Sequence, residues 1–187
     1  MEENKMRKKL QPISRKLPEV RKLFKKDFDV VGPEVLELEK GIWPKSEQWN
    51  CKEDFQEVYE MPHAVRFGAY ANKLLGFTMG MPTDVAREIY REDDGSPTDK
   101  FELIPHKQGF LWVIEVAPMY RGGGVGTQLL DRVAGDAERR GASDMYAYLR
   151  EPIPKLCGRR VEIITPVENY AGDTGKTYYL GRMGLWG

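Results

Sequence analysis

FLWVIEVAPMYRGGGVGTQLLDRVAGDAERRG, from Phe110 to Gly141, is the stretch on which the fold turns. Phe110 to Val116 is apolar and β-branched, the composition of a strand buried on both faces. Pro118 ends the ladder because proline has no N–H to donate. Arg121-Gly122-Gly123-Gly124-Val125-Gly126-Thr127 then makes a glycine turn. In the helix that follows, Leu129, Leu130, Val133, Ala134 and Ala137 share one face, and Gly141 stands at its C′ position. A helix N-terminus leaves about four N–H groups unpaired and carries roughly half a positive charge. Glycines let the backbone come close to an anion and take φ > 0 without steric cost. Strand, glycine turn and helix in this order predict a phosphate or diphosphate site.

Two nucleotide-binding patterns fail on spacing. The dinucleotide fingerprint needs glycines at i, i+2 and i+5, but from Gly122 the third position is Thr127 and from Gly124 it is Leu129. Gly172-Asp173-Thr174-Gly175-Lys176-Thr177 looks like a Walker loop, yet Tyr170 stands where its first glycine belongs. What fits is Val116-Ala117-Pro118 followed by Arg121, Gly124 and Gly126, the pattern [Q/R]xxGx[G/A]. This resembles the acetyl-CoA site of the GNAT superfamily of N-acyltransferases, strongly from Phe110 to Gly141 and loosely over residues 30 to 187. The resemblance implies an α/β (α+β) fold with a mixed, splayed central β-sheet flanked by helices. It also implies acetyl-CoA as acyl-donor cosubstrate. The turn amides of Gly122, Gly123, Gly124, Val125, Gly126 and Thr127 hold the diphosphate, and Arg121 sets the turn and offers its guanidinium. The backbone from Ile114 to Val116 binds the pantetheine arm in the gap between parted strands.

The implied reaction is direct attack of a primary amine on the thioester in a ternary complex, giving an N-acetyltransferase. Tyr179, then Tyr178, is the candidate acid for the leaving thiolate, and Glu115 is the candidate base. Glu168, or water relayed through carbonyls, is an alternative base. The rival reading is a non-catalytic acyl-CoA-binding or scaffold protein whose basic arm engages a partner. The tail departs from the family signature Asn-xx-Ala-xxx-Tyr-xxx-Gly-Phe: Asn169 and Ala171 lie two apart, and Tyr179 precedes Gly184 by five. The sequence stops soon after Gly184-Leu185, so little room is expected for the family's last strand, leaving a sheet edge for a second protomer to cover in a homodimer.

Lys5 to Lys26 holds ten Lys/Arg against Glu19 alone, so this segment is +9 and, with a net charge of zero, the remainder is −9. Leu10, Ile13, Leu17, Val20, Leu23 and Phe24 recur at helical spacing, predicting a partly helical basic arm over residues 1–27 and an acetyltransferase domain over 28–187. Nucleic acid is a disfavoured partner for the arm, since no aromatic platform accompanies the charges. The acidic remainder favours a cationic acceptor. Cys51, Cys157 and two histidines make no metal-ligand pattern, so no metal is expected. No apolar run approaches the ~18 residues of a membrane span, and a soluble, cytoplasmic protein is the expectation.

Elsewhere, Phe28 to Val31 reads as a first strand, with Gly32-Pro33 opening a helix that ends before Trp43-Pro44. In the resembled family a helical hairpin here covers the acceptor, which makes Trp43, Trp49, Phe55 and Tyr59 candidates for its wall. Ala64–Tyr70 and Leu74–Gly80 read as a β-hairpin, Arg91 to Lys107 as a mobile loop, Ala142 to Arg150 as a strand parallel to the central one, and Val161 to Ile164 as an extra strand.

Overall fold

The computed structural model describes residues 18–45, 48, 51–92, 98–168 and 177–186. Its strands are β1 (Glu19–Leu23), β2 (Val65–Tyr70), β3 (Leu74–Pro82), β4 (Gly109–Val116), β5 (Asp144–Leu149), β6 (Lys155–Leu156), β7 (Arg159–Arg160), β8 (Glu162–Val167) and β9 (Tyr178–Gly184). Its helices are α1 (Phe28–Lys40), α2 (Lys52–Tyr59), α3 (Thr83–Glu92), α4 (Thr98–Phe101) and α5 (Val125–Arg139). Seven strands form one mixed sheet in the order β1-β2-β3-β4-β5-β9-β8, and β6 pairs only with β7. The expected mixed α/β architecture is therefore present.

Two apolar layers sandwich the sheet. On one side Phe28, Val31, Val35 and Leu38 of α1 pack with Phe55 and Tyr59 of α2, Tyr90 of α3 and Phe101 of α4. On the other, Leu129, Leu130, Val133, Ala134 and Ala137 of α5 cover Leu111, Met145 and Ala147, the face that the sequence periodicity marks. Gly141 takes φ +86 just beyond α5, the left-handed C′ conformation expected of it.

Four local expectations are corrected. Phe28 to Val31 opens α1 instead of forming a strand, and Pro33 lies inside that helix. A four-residue apolar run does not distinguish helix from strand; burial of residues 28, 31, 35 and 38 on one face decided for the helix. Val20 to Leu23 is not helical but forms β1 along the open edge of β2, where Arg21 stacks 3.8 Å over the Tyr70 ring. The segment between Arg91 and Lys107 includes α4, and Phe101 and Ile104 are buried. Finally, the end of the sequence does form a strand inside the sheet: β9 lies between β5 and β8, so the edge expected beside it is already covered by β8, which extends the expected extra strand.

One irregularity matters for the site. Met79 pairs with Val113 but Gly80 pairs with Leu111, so Trp112 is an extra residue in β4, a β-bulge. The fully buried Thr78 donates its hydroxyl to the Val113 carbonyl at 2.9 Å and satisfies the backbone there. Thr78→Val removes that donor at nearly constant shape and takes the hydroxyl partner from the Val113 carbonyl. We expect a loss of about 1–3 kcal/mol in urea unfolding.

Candidate active site

β4 and β5 run parallel but pair only at Gly109–Met145, Phe110–Tyr146 and Leu111–Ala147. At the start of the pair, Gln108 Oε1 accepts the N–H groups of Ser143 (3.0 Å) and Asp144 (2.9 Å), which clamps this end shut. Beyond Leu111 no ladder joins the two strands, because β4 continues along β3 while β5 continues along β9. The sheet therefore parts beside Trp112 to Val116, and the expected splay is present.

The glycine turn stands at the end of β4, beyond the parting. Gly122 and Gly124 adopt φ +74 and +82, the left-handed region that favours glycine, and a Cβ on either would meet nothing within 4 Å. No side chain caps α5. Backbone bonds in the turn run from Arg121 N–H to Pro118 O (3.2 Å), Gly123 N–H to Tyr120 O (3.4 Å) and Gln128 N–H to Gly124 O (3.0 Å). Among the described residues, the N–H groups of Gly124, Val125, Gly126 and Thr127 thus have no protein acceptor. These donors, with the helix dipole behind them, suit a diphosphate. Arg121 Nε donates to the Val116 carbonyl at 3.1 Å, so this side chain ties the turn to the strand end.

A hairpin that the sequence did not announce flanks the turn. β6 and β7 are joined through Cys157 (φ 49) and Gly158 (φ 90), both left-handed as a two-residue hairpin requires. Thr127 Oγ1 donates to the Cys157 carbonyl at 3.2 Å, and Arg159 pairs with Asp131 at 3.0 Å, which holds the hairpin against α5. A Cβ on Gly126 would come within 2.9 Å of Cys157 Sγ. Burial, with Asp131 nearby, pushes the Cys157 thiol up, which makes it a poor nucleophile.

On the other face lies Glu115. The bulge at Trp112 shifts the alternation of β4, so Trp112 and Val113 both pack toward α1–α4 while Ile114 and Val116 face the α5 side. Glu115 follows on the α1 side and is only 3% exposed. Trp43 Nε1 donates to its Oε1 at 2.6 Å, and Oε2 receives no bond from an N–H donor. The carboxyl lies within hydrogen-bonding reach of Glu39, itself only 4% exposed on α1. Burial first, and then the Glu39 charge, push the Glu115 carboxyl up to about 8, against the opposing pull of the Trp43 bond.

The other candidates are dispersed. Phe55 and Tyr59 are fully buried core residues: Phe55 meets Phe28 at a tilt and Phe77 edge-on, and Tyr59 stacks on Phe77, so neither presents its ring to an acceptor surface. Trp43 sits on Glu115, whereas Trp49, Asn169, Ala171 and the Gly172–Lys176 stretch lie outside the described residues. Tyr178 and Tyr179 occupy the start of β9, next to the end of β5: Tyr179 pairs with Leu149 and packs on the α5 side, Tyr178 on the α1 side. Glu168 is exposed just past β8. Glu39 was missed, although it was findable. It follows the buried positions 28, 31, 35 and 38 on the same face of α1, where a carboxylate is out of place.

Among the described residues no group of His, Cys, Asp and Glu is placed to hold a metal ion, and no helix is long and apolar enough to cross a membrane. No curated protein sequence matches the chain significantly. Solved structures do share its fold. The ribosomal-protein-S18-alanine N-acetyltransferase from Escherichia coli aligns with a TM-score of 0.60 at 15% identity, over 90% of this chain and 94% of that one. An aminoglycoside 6'-N-acetyltransferase complexed with coenzyme A aligns with a TM-score of 0.61 at 12% identity, over 90% and 98%. Ard1 from Thermoplasma volcanium aligns with a TM-score of 0.62 at 12% identity, over 91% and 99%. The acetyltransferase (GNAT) family profile matches residues 19–152. Since that match spans the strand, the turn and the helix that build the parting, as well as most of the sheet, this chain belongs to the GNAT acetyltransferase family.

Proposed function

We propose that the protein is an acetyl-CoA-dependent N-acetyltransferase that acetylates a primary amine by direct attack in a ternary complex. The observation that carries this reading is the parting of β4 from β5 beyond Leu111. It leaves strand backbone from Trp112 to Val116 facing a gap, where the amides of an extended pantetheine arm can take the place of a neighbouring strand. The uncapped amides of Gly124 to Thr127 hold the diphosphate, with Gly122 and Gly123 shaping the turn and Arg121 fixing it to Val116. Backbone N–H at the end of β4 polarises the thioester carbonyl.

The acceptor stands on the α1 side, where the Trp43 ring and the Glu115 carboxyl favour a cationic amine. Glu115, once the Trp43 indole gives way, takes the amine proton, and a raised carboxyl poised near neutrality suits a general base. Holding both substrates in line supplies several kcal/mol of the barrier. Tyr179, on the Val116 side of the sheet, is the first candidate to protonate the leaving thiolate, and Tyr178 the second.

Thiol release from acetyl-CoA against a panel of primary amines tests the assignment. The expected result is amine-dependent release, with the acetylated amine recovered by mass spectrometry. Stabilisation by acetyl-CoA with no release on any amine would instead identify an acyl-CoA-binding module.

A further inference from the structure

We propose that Glu39 and Glu115 work as a single acid–base unit, two buried carboxyl groups bridged by one proton under the Trp43 indole, in which Glu39 is the positioning residue that holds Glu115 for proton transfer. The inference rests on the acetyltransfer reading above and assigns a residue that the glycine-turn signature does not contain.

Three observations carry it. Glu39 and Glu115 come from different elements, α1 and β4, yet both are almost fully buried, at 4% and 3% exposed. Two carboxylates cannot hydrogen-bond each other without a proton between them, and the pair is within bonding reach. Oε1 of Glu115 is taken by Trp43 at 2.6 Å, while Oε2 is buried with no N–H donor, the position a shared proton would serve. Glu39 approaches Glu115 from α1, Phe77 stands opposite it on β3, and Trp43 supplies an indole whose ring centroid lies 5.5 Å from the Arg150 guanidinium. Among the described residues no salt bridge joins a cation to Glu115, and like charges this close do not ionise together easily.

The chemistry follows. With the bridging proton gone, Glu115 accepts a proton from the bound ammonium. That N–H bond breaks, its electron pair stays on nitrogen, and the bridge re-forms. The nitrogen lone pair then bonds to the thioester carbonyl carbon, the C–S bond breaks with its electron pair on sulfur, and the second amine proton passes to that thiolate, which leaves the neutral amide and the free thiol. Glu39 touches neither substrate and acts only through its partner.

Two measurements on the full chain test the unit. In wild-type protein carrying 13C-labelled glutamate side chains, two carboxyl signals should titrate together, one of them far above the ordinary carboxylate range, and both should be absent or altered in E39Q and E115Q. In the pH profile of kcat/KM, E39Q keeps the hydrogen-bonding shape and removes the like charge, so its rising limb should move at least about one unit toward acid. Activity at pH 7 should then rise about fivefold relative to the alkaline plateau, with the KM for acetyl-CoA unchanged. Independent titration of the two carboxyls near their ordinary value overturns the pair. Paired titration with an unshifted limb in E39Q overturns the catalytic role of Glu39 and leaves a structural one. Paired titration in a protein that releases no thiol with any amine sinks the acetyltransfer reading, and the catalytic role with it.

Discussion

Gly124→Glu and Gly126→Glu should each abolish acetyl-CoA binding, with a loss of at least about 100-fold in affinity, whereas Arg121→Ala should weaken it by no more than about tenfold. The two glycines fail for different reasons. Gly124 holds φ +82 at the N-cap of α5, and any side chain there is strained by roughly 1–2 kcal/mol. Its Cβ direction is open space, so a glutamate fits sterically but places a negative charge beside the N–H groups meant for a diphosphate. Gly126 is confined: its added Cβ meets Cys157 Sγ at 2.9 Å and Val116 Cγ2 at 3.6 Å, so a larger side chain must push the β6–β7 hairpin off α5 or enter the parting. Arg121, by contrast, contributes one hydrogen bond to the Val116 carbonyl, worth about 1 kcal/mol when lost from an exposed site. Isothermal titration with acetyl-CoA, alongside circular dichroism to confirm folding, separates these outcomes. Normal binding by both glutamate variants would rule out the turn as the diphosphate site.

Glu115→Gln should lower turnover by about 10²–10⁴-fold at pH 8, the usual effect of losing a general base. It should also reshape the stability profile, and the sign is fixed by the direction of the shift. The Glu115 carboxyl is raised in the folded state, from 4.5 to about 8, so its contribution is fully present below the unfolded value and is lost as pH rises through the folded one. Wild-type protein should therefore lose stability between about pH 4.5 and pH 8, by an amount on the order of a few kcal/mol. Glutamine keeps the Trp43 bond and the buried shape without a charge to desolvate, so that slope should flatten. Urea unfolding at pH 5, 7 and 9 measures both curves. A glutamine variant with the wild-type slope would show that Glu115 is not the group being ionised.

The proposed donor half of the site was legible in the sequence because its parts are consecutive. β4, the turn and α5 follow one another within Gly109–Arg139, and local chemistry governs each: apolar β-branched residues for the strand, left-handed glycines for the turn, helical spacing for the face that covers the sheet. In the proposed acceptor half, Glu115 and Trp43 were named singly, but their meeting with Glu39 was not legible, because the three come from β4, the Trp43 segment and α1 and are brought together only by packing. The same contrast separates the correct elements from the corrected ones. Leu74 to Gly80 is long and apolar enough to read as a strand, whereas Phe28–Val31 and Val20–Leu23 are too short to reveal their structure, and burial against neighbours chose for them.

The sequence by itself determined the family, the parallel pair of strands with its crossover helix, and a turn fit to bind a diphosphate. All of these rest on residue types at fixed local spacing. Only the tertiary structure decided which way Glu115 points. In an unbroken strand with Phe110 toward α1–α4, strict alternation would send Glu115 toward α5. One extra residue at Trp112, opposite the step from Met79 to Gly80 and held by the Thr78 hydroxyl, turns the strand over by one position and delivers that carboxyl to Glu39 and Trp43. A bulge is a property of how two strands register on each other, so it is written in neither strand alone.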